Sequence, residues 1–332
     1  YDVVRDRDRE QLATGTPYEE VCIIASVTAD SLTTRTTFPG YRMIELFYPT
    51  VPYFGPNVFR RFNRTTLSLE LRKGTIDELV MGLSHLESLK VSDTGLGLFE
   101  VLPEANSILQ ALAIHERKLV RLSANVRFLV GLQLLDLSGC SLTTVDLGTL
   151  TPIPWLTVLN LADNRLTLVE ATEDVVLPEL IMFDVQQNDL QRIARYPEMF
   201  PGLRFTRLLQ NGWRCEWVSE VRNKIWTSRI TVLGSDFECA GEARVNNGGL
   251  CCVPTEERIA ISKTMLSVLA ELGRSAVAGD GSPRGSGTAD SATVADAPPM
   301  TVKVFENETV EGVIGVEMDN VGIYLQEPVG AI

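Results

Sequence analysis

Four segments of the chain repeat one pattern at a nearly fixed distance. LQLLDLSGCSL, LTVLNLADNRL, LIMFDVQQNDL and LRFTRLLQN begin at Leu132, Leu156, Leu180 and Leu203, spaced by 24, 24 and 23 residues. Each opens on Leu and carries Leu, Phe or Thr at its fourth position and Leu or Val at its sixth. The first three then place Asn or Cys at the ninth position and Leu at the eleventh. One such unit cannot bury its apolar side alone, so a chain that keeps this register must stack its units into a continuous core. That excludes most closed globular architectures before any other property is weighed.

The internal spacing identifies the unit. In LTVLNL, Leu159 and Leu161 point to one side because side chains alternate along a strand. Leu166 and Val169 return beneath them after a turn. Asn164, Asn188 and Asn211 stand where a side-chain amide can bond the backbone of adjacent turns, and Cys140 takes the same place as a buried thiol. This is the leucine-rich repeat signature. Weaker copies start at Tyr41, Thr66, Leu86 and Leu109, where the Asn position drifts to Pro49, Gly74, Thr94 and Arg117. The pattern predicts eight coils in an α/β leucine-rich repeat solenoid, a curved right-handed coil with a parallel β-sheet on its concave face.

Around the coils the chain divides into a flexible lead-in over 1–20 and an N-terminal cap over 21–40, with repeats over 41–211. A cysteine-rich cap follows over 212–254, then a helix over 255–274 with the apolar stripe Ile261, Met265, Val268, Leu269 and Leu272. Residues 275–300 have linker composition. Residues 301–332 read as a tail, disordered or built of short strands. The chain opens on Tyr1 with no apolar leader and is expected to be a mature or trimmed product.

Charge and composition remove several functions. A net charge of −13 leaves no basic stripe for nucleic acid. No apolar run approaches the roughly 20 residues of a membrane span. No zinc spacing, phosphate loop or dinucleotide fingerprint occurs, so neither a metal nor a cofactor is expected. His115, Asp136 and Ser138 fall on neighbouring coils, but on a flat sheet without oxyanion donors or a desolvating cleft, and no catalytic residue is assigned. The sequons at Asn63 and Asn307 and the clustered cysteines point to an oxidising, extracellular setting.

The repeat register arranges the concave face in rows. The third positions read Met43, Ser68, Ser88, Ala111, Leu134, Val158, Met182 and Phe205; the fifth read Glu45, Glu70, Lys90, Ala113, Asp136, Asn160, Asp184 and Arg207. Leu134, Val158, Met182 and Phe205 form an apolar ridge about 4.8 Å from coil to coil, expected to meet a protein partner. His115, Asp136, Asn160, Asp184 and Arg207 are its polar surroundings. The alternative is that the tail or the 255–274 helix folds back over the ridge.

The last coil runs into NGWRCEW, a lone Cys239 and GGLCC. Asn-x-Trp-x-Cys after such coils resembles the disulfide cap of extracellular leucine-rich repeat proteins, with Trp213 and a helix near 216–226 shielding the last coil. Adjacent cysteines rarely pair with each other, so Cys215 and Cys239 are each expected to pair with Cys251 or Cys252, in either order. About four strand spacings separate the coils that start at Tyr41 and Leu132, so Cys22 cannot reach Cys140 and is expected free and buried. Coils, NxWxC, lone Cys and vicinal Cys pair leading into a helix are together similar to the leucine-rich immune proteins of mosquitoes. That resemblance spans about residues 40–272, and no long coiled coil follows Cys252. It implies a secreted haemolymph protein of innate immunity, with complement-like thioester-containing proteins or another leucine-rich repeat chain as partners. The ectodomain of a cell-surface receptor or adhesion protein is the other class that these features allow.

Overall fold

The computed structural model describes residues 3–4, 21–32, 37–239, 244–254, 313–318 and 321–326. The 255–274 helix and the 275–300 linker expected from the sequence lie outside them. One sheet organises the molecule. Its parallel strands run in chain order: Val21–Ala25, Met43–Phe47, Ser68–Arg72, Ser88–Ser92, Ala111–His115, Leu134–Asp136, Val158–Asn160, Met182–Asp184, Phe205–Arg207 and Thr231–Val232. Val3–Val4 adds an antiparallel strand on Val21–Ala25. Eight of these strands come from the eight coils; Val21–Ala25 and Thr231–Val232 continue the sheet into the two caps. Pairing follows the repeat register, with Leu135 opposite Leu112 and Leu159, and Leu159 opposite Phe183.

Seven of the eight coil strands end in the same bend. Tyr48, Lys73, Asp93, Asp163, Gln187 and Gln210 all adopt left-handed backbone just after their strands, as does Gly139. Side chains rarely accept that conformation, and it persists because the bonds on both sides of the bend define it. In the last coils those bonds come from the amide ladder. Asn164 accepts from the Leu142 N–H of the preceding coil at 2.9 Å and donates to the Leu137 carbonyl at 2.8 Å. Asn188 and Asn211 repeat this on Leu166 and Leu161, and on Leu190 and Val185. Cys140 keeps the donor half, its thiol reaching the Ile114 carbonyl at 3.2 Å.

One coil departs from the expected ladder. Arg117 does not take the ladder position; the neighbouring Glu116 does. Its buried carboxylate accepts from the Thr94 N–H, from the Thr94 hydroxyl at 2.7 Å and from the Gly95 N–H at 2.9 Å. A carboxylate has lone pairs for several donors at once, which an amide oxygen serves less well and a guanidinium not at all.

The C-terminal cap closes the apolar end of the stack. Trp213 is fully buried, donates to the Leu208 carbonyl and stacks on Trp217 with centroids 4.3 Å apart. The helix Cys215–Thr227 buries Cys215, Val218, Val221 and Ile225. Cys215 is bonded to Cys252 and Cys239 to Cys251. Cys22 and Cys140 are free and buried, and burial pushes the Cys140 thiol up to about 12. Among the described residues no helix is long and apolar enough to cross a membrane.

Candidate functional site on the concave sheet

The two concave rows stand as the repeat dictates: Ala111, Leu134, Val158, Met182 and Phe205 are successive neighbours, and so are Ala113, Asp136, Asn160, Asp184 and Arg207. Their exposure differs from expectation. Leu134, Val158 and Met182 keep only 6%, 2% and 2% of their surface and form an apolar cluster separate from the main core. Side chains one strand spacing apart press on one another, with Ala111 and Leu233 packed against them. Phe205 alone of the four stands open, at 38%.

The fifth row is also buried, for a different reason. Asp136, Asn160 and Asp184 each turn back to accept the N–H two residues on: Ser138 at 2.9 Å, Ala162 at 3.0 Å and Gln186 at 3.0 Å. These side-chain turns end the three-residue strands. Residues read as the polar surroundings of a contact are therefore occupied in shaping the fold. The signal was present in the sequence, because Asp or Asn recurs at one position in three successive coils. Arg207 adds an ion pair to Asp184 at 3.4 Å.

The two aspartates titrate in opposite directions. Burial pushes Asp184 up to about 6, against the Gln186 N–H and the attraction of Arg207. Burial also acts on Asp136, but the hydrogen bond and charge of His115 and the Ser138 donors outweigh it and hold that carboxyl below its ordinary value. For Asp184 the folded value lies above the ordinary 3.8. The stability carried by its neutral form is complete below about pH 4 and is lost as pH rises through about 6. Asp184→Asn keeps an oxygen for Gln186, as Asn160 does one coil earlier, and removes the charge. The variant is expected to be more stable than wild type by about 1 to 2 kcal/mol at about pH 7.5 and equal to it at about pH 4. Urea midpoints at the two pH values measure this.

His115, Asp136 and Ser138 do meet, in an order unsuited to nucleophilic catalysis. Asp136 sits in the middle, its Oδ2 3.3 Å from His115 Nε2 and its Oδ1 on the backbone N–H of Ser138. A hydroxyl nucleophile needs the imidazole between itself and the acid. Toward the N-terminal end the face carries a charged network instead. Arg72 bridges Glu45 at 3.3 Å and Glu70 at 3.6 Å, and Lys90 reaches Glu70 at 3.4 Å.

Away from the sheet, the sequon Asn63-Arg64-Thr65 is exposed, and Asn63 Oδ1 accepts from both the N–H and the hydroxyl of Thr65 at 3.1 Å. Asn307 lies outside the described residues.

A sequence model of the leucine-rich repeat matches residues 131–152, the coil that opens at Leu132. No curated protein matches the chain. Among solved structures, the chain is similar to the crystal structure of the LRIM1/APL1C complex, with a TM-score of 0.52 at 15% identity. The match covers 77% of this chain and 55% of that one, so the chain spans about half the length of that relative. The leucine-rich repeat domain of APL1B gives 0.51 at 17% identity, over 70% of this chain and 72% of that one. Identity this low carries the fold and nothing finer. The chain is a leucine-rich repeat solenoid with a disulfide-bonded C-terminal cap.

Proposed function

We propose that this chain is a secreted recognition module of innate immunity that binds another protein through its concave sheet. The observation that carries this reading is Phe205, an exposed aromatic at the open end of an apolar row, beside the ion-paired Arg207. Large aromatic side chains next to partly desolvated charges dominate protein contacts. His115, Lys90 and Arg72 extend the polar side of the contact toward the N-terminal coils. Leu134, Val158 and Met182 lie behind Phe205, buried against one another.

Secretion is supported by the two disulfides that close the cap, since such bonds persist in oxidising compartments. Asn63 is then N-glycosylated, and a mass shift of its peptide on peptide-N-glycosidase treatment checks this; an unmodified Asn63 in secreted protein removes the claim. The resemblance to mosquito immune proteins supplies the compartment, haemolymph, and two partner classes. These are complement-like thioester-containing proteins and a second leucine-rich repeat chain. The LRIM1/APL1C complex makes the second class the first to try.

Capture from haemolymph on immobilised protein under non-reducing conditions tests the reading. Phe205→Ala is expected to weaken the captured partner by about 1 to 3 kcal/mol. Equal capture by wild type, Phe205→Ala and His115→Ala would place the contact elsewhere.

A further inference from the structure

The dipeptide Asn-Gly occurs twice in the chain, at Asn211–Gly212 and Asn247–Gly248. Its chemistry is intrinsic. The backbone nitrogen of the glycine can attack the side-chain carbonyl carbon of the asparagine, and a glycine has no Cβ to crowd that approach. A cyclic succinimide forms and ammonia leaves; water then opens the ring to aspartate or isoaspartate. In sum, the amide and water become a carboxylic acid and ammonia, with no oxidant or cofactor. Asparagine counts among the thermolabile residues.

The fold treats the two copies differently. Asn211 is buried and its amide is pinned: Nδ2 donates to the carbonyls of Val185, Leu208 and Leu209, and Oδ1 accepts from the Leu190 N–H at 3.1 Å. It cannot turn toward Gly212 without breaking the ladder. Asn247 ends the strand Val245–Asn247, half-buried, where Gly248 and Gly249 turn the chain into Leu250–Cys252 with left-handed backbone. Its amide is held only by Nδ2 donating to the Ser219 hydroxyl at 3.1 Å, and no described residue accepts the Gly248 N–H. Arg222 of the cap helix lies beside that glycine, since a Cβ added to Gly248 would stand 3.3 Å from the guanidinium carbon. A cation there favours the deprotonated nitrogen and the oxyanion that its attack creates. The preceding Asn246 is the contrast within the same turn. Its Oδ1 accepts from the Gly249 N–H and its Nδ2 donates to the Asp236 carbonyl, so both ends of that amide are occupied.

We propose that Asn247 is a deamidation site of the folded protein, selected over Asn211 and Asn246 by its loosely held amide and by Arg222. The conversion is one-way and puts a carboxylate into the C-terminal cap. It removes the donor that ties the turn to Ser219, whose own hydroxyl is bonded to the Cys215 carbonyl. The isoaspartate product also lengthens the backbone by a carbon close to Cys251. None of this depends on the partner reading above.

Ageing of the full chain at neutral and at mildly alkaline pH, then digestion in acid and peptide sequencing by mass, tests the proposal. Asn247 is expected to become the acid at least about tenfold faster than Asn211, because reaction at a buried site waits for local opening. The rate at Asn247 should rise with pH, since the deprotonated nitrogen attacks. Arg222→Gln is expected to slow it several-fold, and Arg222→Lys, which keeps a cation, to retain most of it. In urea the two Asn-Gly sites should converge on one rate. Equal rates at Asn247 and Asn211 in the folded protein overturn the proposal, as does conversion at Asn246 ahead of Asn247. An Asn247 that persists in the folded protein while the unfolded chain reacts overturns it too, and so does an undiminished rate in Arg222→Gln.

Discussion

Leu159→Ala is expected to lower the unfolding free energy by about 2 to 5 kcal/mol, while Phe205→Ala lowers it by about 1 to 2 kcal/mol. The two positions lie on opposite sides of the sheet. Leu159 is fully buried between Leu135 and Phe183 of the adjoining coils. Truncation there leaves a cavity that close-packed neighbours on both sides cannot fill. Phe205 is on the concave side and more than a third exposed, so its truncation removes less buried surface than that of Leu159 and part of its surface stays open to a partner. Urea unfolding of both variants with unchanged slope measures the contrast. Equal losses would mean that Phe205 is covered within the monomer, and the partner contact would then have to lie elsewhere.

Replacing Cys215 and Cys252 by Ser is expected to cost about 3 to 4 kcal/mol. The bond closes a 37-residue separation, against 12 for Cys239–Cys251, and the longer loop holds more chain entropy in the unfolded state. The shorter loop is nested inside the longer one. With Cys239–Cys251 intact, part of the outer loop is already bypassed, so the gain falls somewhat below what 37 residues alone would give. The consequence is local as well as global. The Cys215–Cys252 bond ties the start of the cap helix to the strand Leu250–Cys252, and that helix carries Trp217 onto Trp213. Faster amide exchange around Trp213 should therefore accompany the loss of stability. A double-serine variant that unfolds at the wild-type urea midpoint would show that the cap is held by packing alone.

Most of the architecture was legible because a solenoid is nearly one-dimensional. Each coil meets only its neighbours, so a period of 23 or 24 residues already states which residue lies beside which. The opposition of Leu134 to Val158 and of Asp136 to Asn160 follows from counting, and the left-handed bends before Pro49, Gly74 and Thr94 stand where the degenerate repeats place them. The amide ladder was legible for the same reason, since Asn164, Asn188 and Asn211 recur at one position.

Three features depended on the third dimension. Glu116 rather than Arg117 serves the ladder, because its carboxylate, one position earlier, reaches the Thr94 and Gly95 donors on the preceding coil, and composition carries no trace of it. The pairing of Cys215 with Cys252 rests on where the hairpin ending at Cys252 comes to lie, since adjacent cysteines offer two equivalent choices in one dimension. The burial of Leu134, Val158 and Met182 is the third. Strand alternation determines the side of the sheet on which a residue stands. Whether that side is wet is decided by how its side chains close on one another, and here Leu134, Val158 and Met182 pack together with Leu233 of the cap beside them.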